Sequence, residues 1–149
     1  MSYRILVIED NLDMLENIAS ILELGHYDVL TAVNGKIGVE IALREKPDLI
    51  LCDIMMPELD GYGVLHILGR NPATSTTPFV FLTAKTDITH IREGMMLGAD
   101  DYLTKPFDDS ELLSVLEMRI KKHEQIKATF DQEIQNIDEF LSKAREIKG

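Results

Sequence analysis

Five side chains with the chemistry of metal binding and phosphoryl transfer stand at or just beyond the ends of short apolar runs in the sequence. They are Glu9, Asp10, Asp53, Thr83 and Lys105. Crowded carboxylates raise one another's pKa values unless a cation lies between them, and a hard divalent ion such as Mg²⁺ suits oxygen ligands. A lysine ammonium and a threonine hydroxyl can neutralise and orient a phosphoryl group, and an aspartate carboxylate can itself attack phosphorus.

The elements that must bring these side chains together are five apolar runs of strand length, each followed by a helical pattern. Continuous apolar runs predict strands that are buried on both faces, and the alternation predicts an α/β fold with a parallel sheet between helices. The carboxyl ends of parallel strands share one edge, where such sheets bind ligands. A Glu-Asp pair alone is a weak signal, so the prediction of a site rests on the order and strand-end positions of the whole set. The predicted strands are Arg4–Ile8, Asp28–Ala32, Asp48–Cys52, Pro78–Leu82 and Asp101–Leu103.

Composition and charge exclude several other classes of protein. The chain of 149 residues is 45% apolar and 28% charged, which is a normal globular mixture. No run of 18 apolar residues predicts a membrane span, no signal peptide precedes the first strand, and the single Cys52 fits a reducing compartment, so we expect a cytoplasmic protein. The net charge of −11 lies in residues 1–120, where nine Lys/Arg face 20 Asp/Glu, while residues 121–149 hold six of each. We therefore expect no direct contact with nucleic acid or membranes.

Four segments together resemble the receiver domain of bacterial two-component response regulators. The resemblance covers roughly residues 3–122. It implies a flavodoxin-like, doubly wound sheet of five parallel strands in the order 2-1-3-4-5, with five helices of which the last is extended. On this basis we expect a receiver domain over residues 1–122. The segments are Glu9-Asp10, Asp53 to Pro57 with Asp60-Gly61, Thr83-Ala84, and Gly98 to Phe107.

The resemblance implies a phospho-acceptor and a metal site. Asp53 corresponds to the residue that is phosphorylated. Glu9, Asp10 and the backbone carbonyl of Met55 correspond to the groups that hold Mg²⁺ alongside Asp53, with Mn²⁺ as an alternative ion.

The same resemblance implies the residues that contact the phosphoryl group and respond to it. Thr83 and Lys105 correspond to the residues that hold phosphoryl oxygens. Tyr102 corresponds to the switch aromatic of the family, whose rotamer follows Thr83. The bond between Lys105 and Pro106 is expected to be cis, a form that is accessible to X–Pro bonds.

The expected partners also follow from the resemblance. The phosphoryl donor would be the phosphohistidine of a sensor histidine kinase or a phosphotransfer protein. Phosphorylation would alter the face made by helix four, strand five and helix five, and so control homodimerisation or an output domain. The chain would be no enzyme in the usual sense, since it would catalyse only its own phosphorylation and slow dephosphorylation. Met55 and Lys85 flank the acceptor where the family tunes hydrolysis, and neither can activate water well.

Residues 123–149 are predicted to form a helical extension. Apolar residues recur at spacings of 4, 3, 4 and 3, which is a heptad pattern over about two repeats. We expect a parallel coiled-coil linker between two copies of the chain, with an amphipathic helix folded back onto the receiver as the alternative. The apolar positions are Phe130, Ile134, Ile137, Leu141 and Ala144.

Three other functions fit part of the pattern. A phosphatase of the haloacid dehalogenase class also uses Asp, Thr, Lys and Mg²⁺, but its nucleophile ends the first strand and a second Asp follows two residues later, where this chain has Met55. A flavodoxin-like flavin binder requires a phosphate-binding loop after strand one, where this chain has Glu9-Asp10. A pseudo-receiver that only binds partners would not require the complete set of acceptor, metal and phosphoryl ligands.

Overall fold

Strands and helices alternate along the whole chain, as the sequence predicts. The structure, a computed structural model, describes residues 2–84 and 88–148, and for His90 and Lys148 it describes the backbone only. The strands are β1 (Arg4–Ile8), β2 (Asp28–Ala32), β3 (Leu49–Asp53), β4 (Phe79–Ala84) and β5 (Asp101–Lys105). The helices are α1 (Leu12–Leu24), α2 (Gly35–Glu45), α3 (Gly61–Gly69), α4 (Ile88–Met96) and α5 (Asp109–Lys148).

The five strands form one parallel sheet in the order β2-β1-β3-β4-β5, which confirms the predicted topology. β4 and β5 are longer than their apolar runs. Thr83 pairs with Thr104 and Ala84 pairs with Lys105 across these two strands. The hydrogen-bonded ladder therefore continues into polar residues that the apolar pattern does not include.

Two apolar layers cover the sheet, one on each face. Residues of α1 and α5 pack on one side against alternate positions of the strands, and residues of α2 and α3 pack on the other. β3 is buried along its whole length, as predicted for a central parallel strand. This packing fixes the strand ends, which carry the candidate functional residues.

Helix α5 is one continuous helix of 40 residues, which is about 60 Å long at 1.5 Å per residue. Its buried residues end at Ile120, and beyond it Tyr3 donates a hydrogen bond from its hydroxyl to Glu124. From Glu124 to Ile147 every described side chain is exposed apart from the half-buried Ala144, so this part of α5, the tail, does not lie on the rest of the fold.

The exposed part of α5 carries an apolar stripe that is wider than the predicted heptad positions. Besides the predicted positions, it includes Ile126, Phe140 and Ile147. Phe140 is 70% exposed and Ile147 is 86% exposed. Among the described residues, no helix is both long and apolar enough to cross a membrane.

Leu116 joins α5 to the sheet, and its loss should destabilise the fold. Leu116 is fully buried, whereas Met118 on the same helix is 56% exposed. Leu116→Ala leaves a cavity and should lower the free energy of unfolding by about 2–5 kcal/mol. Met118→Ala should change that free energy by no more than about 0.5 kcal/mol. Urea unfolding followed by circular dichroism measures both, and equal effects would contradict the packing described for α5.

Candidate functional site

The predicted site residues lie at one edge of the sheet. Glu9 directly follows β1, Asp53 ends β3, Thr83 is the penultimate residue of β4, and Lys105 ends β5. β1 and β3 are neighbours in the sheet, with Ile8 level with Cys52. Glu9 and Asp53 are therefore adjacent in space although 43 other residues separate them in the sequence.

Three carboxylates meet at this edge. One carboxylate oxygen each from Glu9, Asp10 and Asp53 lies within 4.8 Å of the other two. Glu9 is fully buried and Asp53 is 7% exposed, whereas Asp10 lies at the surface. This acidic triad opens to solvent on the side of Asp10.

Lys105 supplies positive charge to the acidic triad. Its Nζ lies 2.8 Å from Oε1 of Glu9 and 3.4 Å from Oδ1 of Asp53. Burial lowers the pKa of Lys105, but the hydrogen bond to Glu9 and the charge of Asp53 outweigh that effect and leave the pKa raised. Lys105 is therefore a permanent cation that contacts two of the three carboxylates.

One lysine does not balance the negative charge of the triad. Burial raises the pKa of Glu9, the hydrogen bond with Asp53 raises it further, and the contact with Lys105 offsets only part of this. Burial also raises the pKa of Asp10, and its hydrogen bond with Glu9 adds to the effect. Oxygen donors with an excess of negative charge fit a divalent cation, so the triad is consistent with a divalent metal site.

The loop of residues 54–60 connects Asp53 to α3 and is fixed by burial on both sides of Met55. Ile54 is 1% exposed and Met56 is 7% exposed, while Met55 is 63% exposed. The N–H of Gly61 donates a hydrogen bond of 2.8 Å to the carbonyl of Ile54 and closes the loop. Met55 is thereby held at the surface next to Asp53.

The residues predicted to follow the phosphoryl group lie on β4 and β5. Thr83 is 4% exposed, and it is level with Thr104 in the ladder between these strands. Tyr102 is 39% exposed and is level with Phe81, so its ring is not in a buried position. The peptide bond between Lys105 and Pro106 is cis. Lys85, which sequence analysis places beside the acceptor, lies outside the described residues.

Two residues shape the site although sequence analysis gives them no separate role. Asn11 caps α1 through its side chain, which accepts the N–H of Met14 at 3.0 Å, and its own N–H lies 3.4 Å from Oε2 of Glu9. An asparagine before a helical pattern is a recognised cap signal, so this residue was detectable from sequence. Gly61 packs directly against the backbone of Asp53, and spacing in the sequence gives no sign of that contact.

Comparison with known proteins gives a consistent result. A family model described as the response regulator receiver domain matches residues 5–117. The DNA-binding dual master transcriptional regulator RpaA of Synechocystis is 39% identical over 123 residues, which are 83% of this chain and 51% of RpaA. Protein PilH of Pseudomonas aeruginosa is 39% identical over 113 residues, which are 76% of this chain and 93% of PilH. The chain thus spans about half of RpaA and nearly all of PilH.

Solved structures show the same relationship. The receiver domain of a signal transduction histidine kinase from Syntrophus aciditrophicus superposes with a TM-score of 0.75 at 33% identity, covering 81% of this chain and 92% of that one. The chemotaxis protein CheY4 of Vibrio cholerae gives a TM-score of 0.76 at 26% identity, covering 80% of this chain and 99% of that one. The family match includes nearly the whole sheet and the edge where the carboxylates meet, and the chain therefore belongs to the response regulator receiver domains of two-component signalling.

Proposed function

We propose that this receiver accepts a phosphoryl group on Asp53 in a Mg²⁺-dependent reaction. The observation that carries the proposal is the position of the Asp53 carboxylate, which lies 3.4 Å from Lys105 and within 4.8 Å of both other carboxylates. A nearly buried carboxylate between a lysine and a metal site has the surroundings that an aspartyl phosphate requires.

The donor in this proposal is the phosphohistidine of a sensor histidine kinase or of a phosphotransfer protein. A two-component response regulator implies a histidine kinase as its partner. An oxygen of Asp53 attacks phosphorus, the bond between phosphorus and the donor imidazole nitrogen breaks, and that nitrogen takes up a proton. Lys105 offsets the charge on the phosphoryl oxygens, and Thr83 donates a hydrogen bond to one of them.

Asp10, Asp53 and the backbone carbonyl of Met55 would hold Mg²⁺, together with Glu9 at the buried side of the triad. When bound, the ion supplies positive charge that balances the carboxylates and the phosphoryl oxygens. Mn²⁺ prefers the same oxygen donors and would serve as a substitute. Met55 offers no group that could activate water, so we expect the phosphoryl group to leave slowly.

The response to phosphorylation would pass from Thr83 to the face of α4, β5 and α5. In this proposal Thr83 moves toward the phosphoryl group and Tyr102 turns inward behind it. The described residues of α4 rest lightly on the sheet, since only Gly94 is buried and Ile91 is half-buried. A helix with so little buried surface can shift at low cost, which suits a switch.

The alternative phosphatase of the haloacid dehalogenase class has no support in the structure. Its nucleophile would end β1, whereas Asp53 ends β3, and Met55 stands where that class has a general acid. A pseudo-receiver would not require the complete triad with its lysine.

Phosphorylation should depend on the Asp53 carboxylate. Incubation with Mg²⁺ and acetyl phosphate should add one phosphoryl group to the wild-type chain and none to Asp53→Asn, because the amide is a poor nucleophile. Intact-mass spectrometry measures the gain, and Asp60→Asn serves as a control because Asp60 caps α3 outside the triad. An equal gain in wild type and Asp53→Asn would place the acceptor elsewhere.

Asp10→Asn should stabilise the metal-free protein and abolish the gain from Mg²⁺. Because the folded state raises the pKa of Asp10, ionisation of this group disfavours folding, and stability without metal increases as pH falls through that pKa. The neutral amide removes this effect at pH 7. With free Mg²⁺ at about 100 times Kd, the wild type should gain about 2.7 kcal/mol of unfolding free energy.

Urea unfolding at pH 7 with and without Mg²⁺ distinguishes the two effects on Asp10→Asn. Asp13→Asn is the matched control, since Asp13 lies on the first turn of α1 outside the triad. The control should keep the full Mg²⁺ gain. A full gain in Asp10→Asn would show that the metal binds at another place.

We further propose that residues 1–122 act as the receiver domain and that residues 123–149 form a coiled-coil linker with a second copy of the chain. Support comes from the continuous α5, whose residues beyond Glu124 make no buried contact with the receiver and carry the exposed apolar stripe. A helix with such a stripe requires a partner in water. This pairing would join two receivers, either alone or together with the face of α4, β5 and α5.

Charges within the apolar stripe should shift the protein toward monomer. Ile134→Asp combined with Leu141→Asp places two carboxylates at positions that the second copy would cover, and losing these apolar contacts from both chains costs several kcal/mol. Gln135→Asp combined with Ser142→Asp adds the same charges at the same spacing on the opposite side of the helix and should leave the dimer intact. Light scattering over a concentration series measures the mass. A wild-type chain that stays monomeric at high concentration would refute the pairing.

A further inference from the structure

Gly61 lies closer to the acceptor backbone than any other residue type could. A Cβ atom at this position would stand 2.4 Å from the carbonyl oxygen of Asp53 and 2.8 Å from Cα of Ile54. Real Cβ atoms essentially never approach other heavy atoms so closely, and both neighbours are backbone atoms, which cannot rotate away. The glycine is required here for space and not for backbone conformation, because Gly98 is the one described glycine with positive φ.

A second glycine presses on the other end of the same loop. A Cβ on Gly35, the first residue of α2, would lie 2.5 Å from the carbonyl oxygen of Leu59. The loop of residues 54–60 is thus confined at both ends. The first residue of α3 packs against Asp53 at the beginning of the loop, and the first residue of α2 packs against Leu59 near its end. The hydrogen bond from Gly61 to the carbonyl of Ile54 holds this arrangement at 2.8 Å.

We infer that Gly61 and Gly35 are positioning residues that set the place of the Asp53 carboxylate and of the Met55 backbone in the metal site. The inference rests on the proposed function of Asp53. A methyl group on Gly61 has to displace the backbone of Asp53 and Ile54, which moves the carboxylate relative to Lys105 and to the other two acids of the triad. Such a shift should weaken metal binding and slow phosphorylation, since both depend on the distances between these groups.

Two other glycines of α3 provide matched controls. The one close contact of a Cβ on Gly63 would be with the far end of the flexible Leu59 side chain, at 2.4 Å from Cδ1, while Oδ1 of Asp60 would lie at an ordinary 3.5 Å. A Cβ on Gly69, at the end of α3, would have no neighbour within 4 Å. All four substitutions add the same single methyl group, and they differ in whether it strikes backbone, a side chain or open space.

The test compares the wild type with the four Gly→Ala variants in two measurements. Calorimetric titration gives the affinity for Mg²⁺, and mass spectrometry follows labelling by acetyl phosphate. Urea unfolding without metal gives the folded fraction of each variant. Gly61→Ala should weaken Mg²⁺ binding by about 10- to 100-fold and slow labelling similarly. Gly35→Ala should weaken Mg²⁺ binding severalfold. Gly63→Ala and Gly69→Ala should bind Mg²⁺ as the wild type does.

The outcomes separate this inference from the proposed function. Wild-type affinity in folded Gly61→Ala overturns the positioning role. Should Gly61→Ala fail to fold, Gly35→Ala decides the matter, and unchanged Mg²⁺ binding there overturns the inference as well. A wild-type chain that binds no Mg²⁺ and takes up no phosphoryl group would instead refute the proposed function.

Discussion

Among the described residues, three carboxylates and one lysine share one corner of the sheet, and the excess of negative charge among them is the constraint on which the site depends. Glu9 cannot move into water because it is fully buried, and Asp53 is almost as enclosed. Burial raises the pKa values of Glu9 and Asp10, and hydrogen bonds between the neighbouring acids raise them further. The triad is consistent with a receiver metal site, and in the proposed function Lys105 and the cation together would balance the charge of a phosphoryl group.

Holding like charges together requires a rigid support, and the two-sided core provides it. β1, β3 and β4 are buried along nearly their whole length before they end at the site, and the hydrogen-bonded ladder between β1 and β3 fixes Glu9 beside Asp53. The loop after Asp53 is fixed equally firmly, with Ile54 and Met56 buried and Gly61 against the backbone of Asp53. Packing far from the reacting atoms therefore determines the distances within the acidic triad.

The face of α4, β5 and α5 is held less rigidly than the site, because the described residues of α4 bury little surface. Helix α5 connects this face to the tail. Arg119 of α5 forms an ion pair of 3.0 Å with Asp101 of β5, the neighbour of Tyr102. Further along α5, Ile120 is the last buried residue among the described side chains, and Glu124 accepts a hydrogen bond from the hydroxyl of Tyr3, which directly precedes β1. In the proposed switch, a continuous helix fixed in this way would carry a change at β5 into the exposed tail as a change in direction.

The sequence alone determined the order of the elements, the parallel sheet and the edge where the acids and Lys105 meet, because apolar runs of strand length place their carboxyl ends together. It did not determine that Lys105 lies closer to Glu9 than to Asp53, or that Gly61 is required for space. Those facts are distances between residues far apart in the chain, and no local pattern encodes them. The sequence also predicted an extended last helix, which α5 confirms. The tertiary structure decided that α5 leaves the domain, because the same amphipathic pattern fits a folded-back helix as well as an extended one.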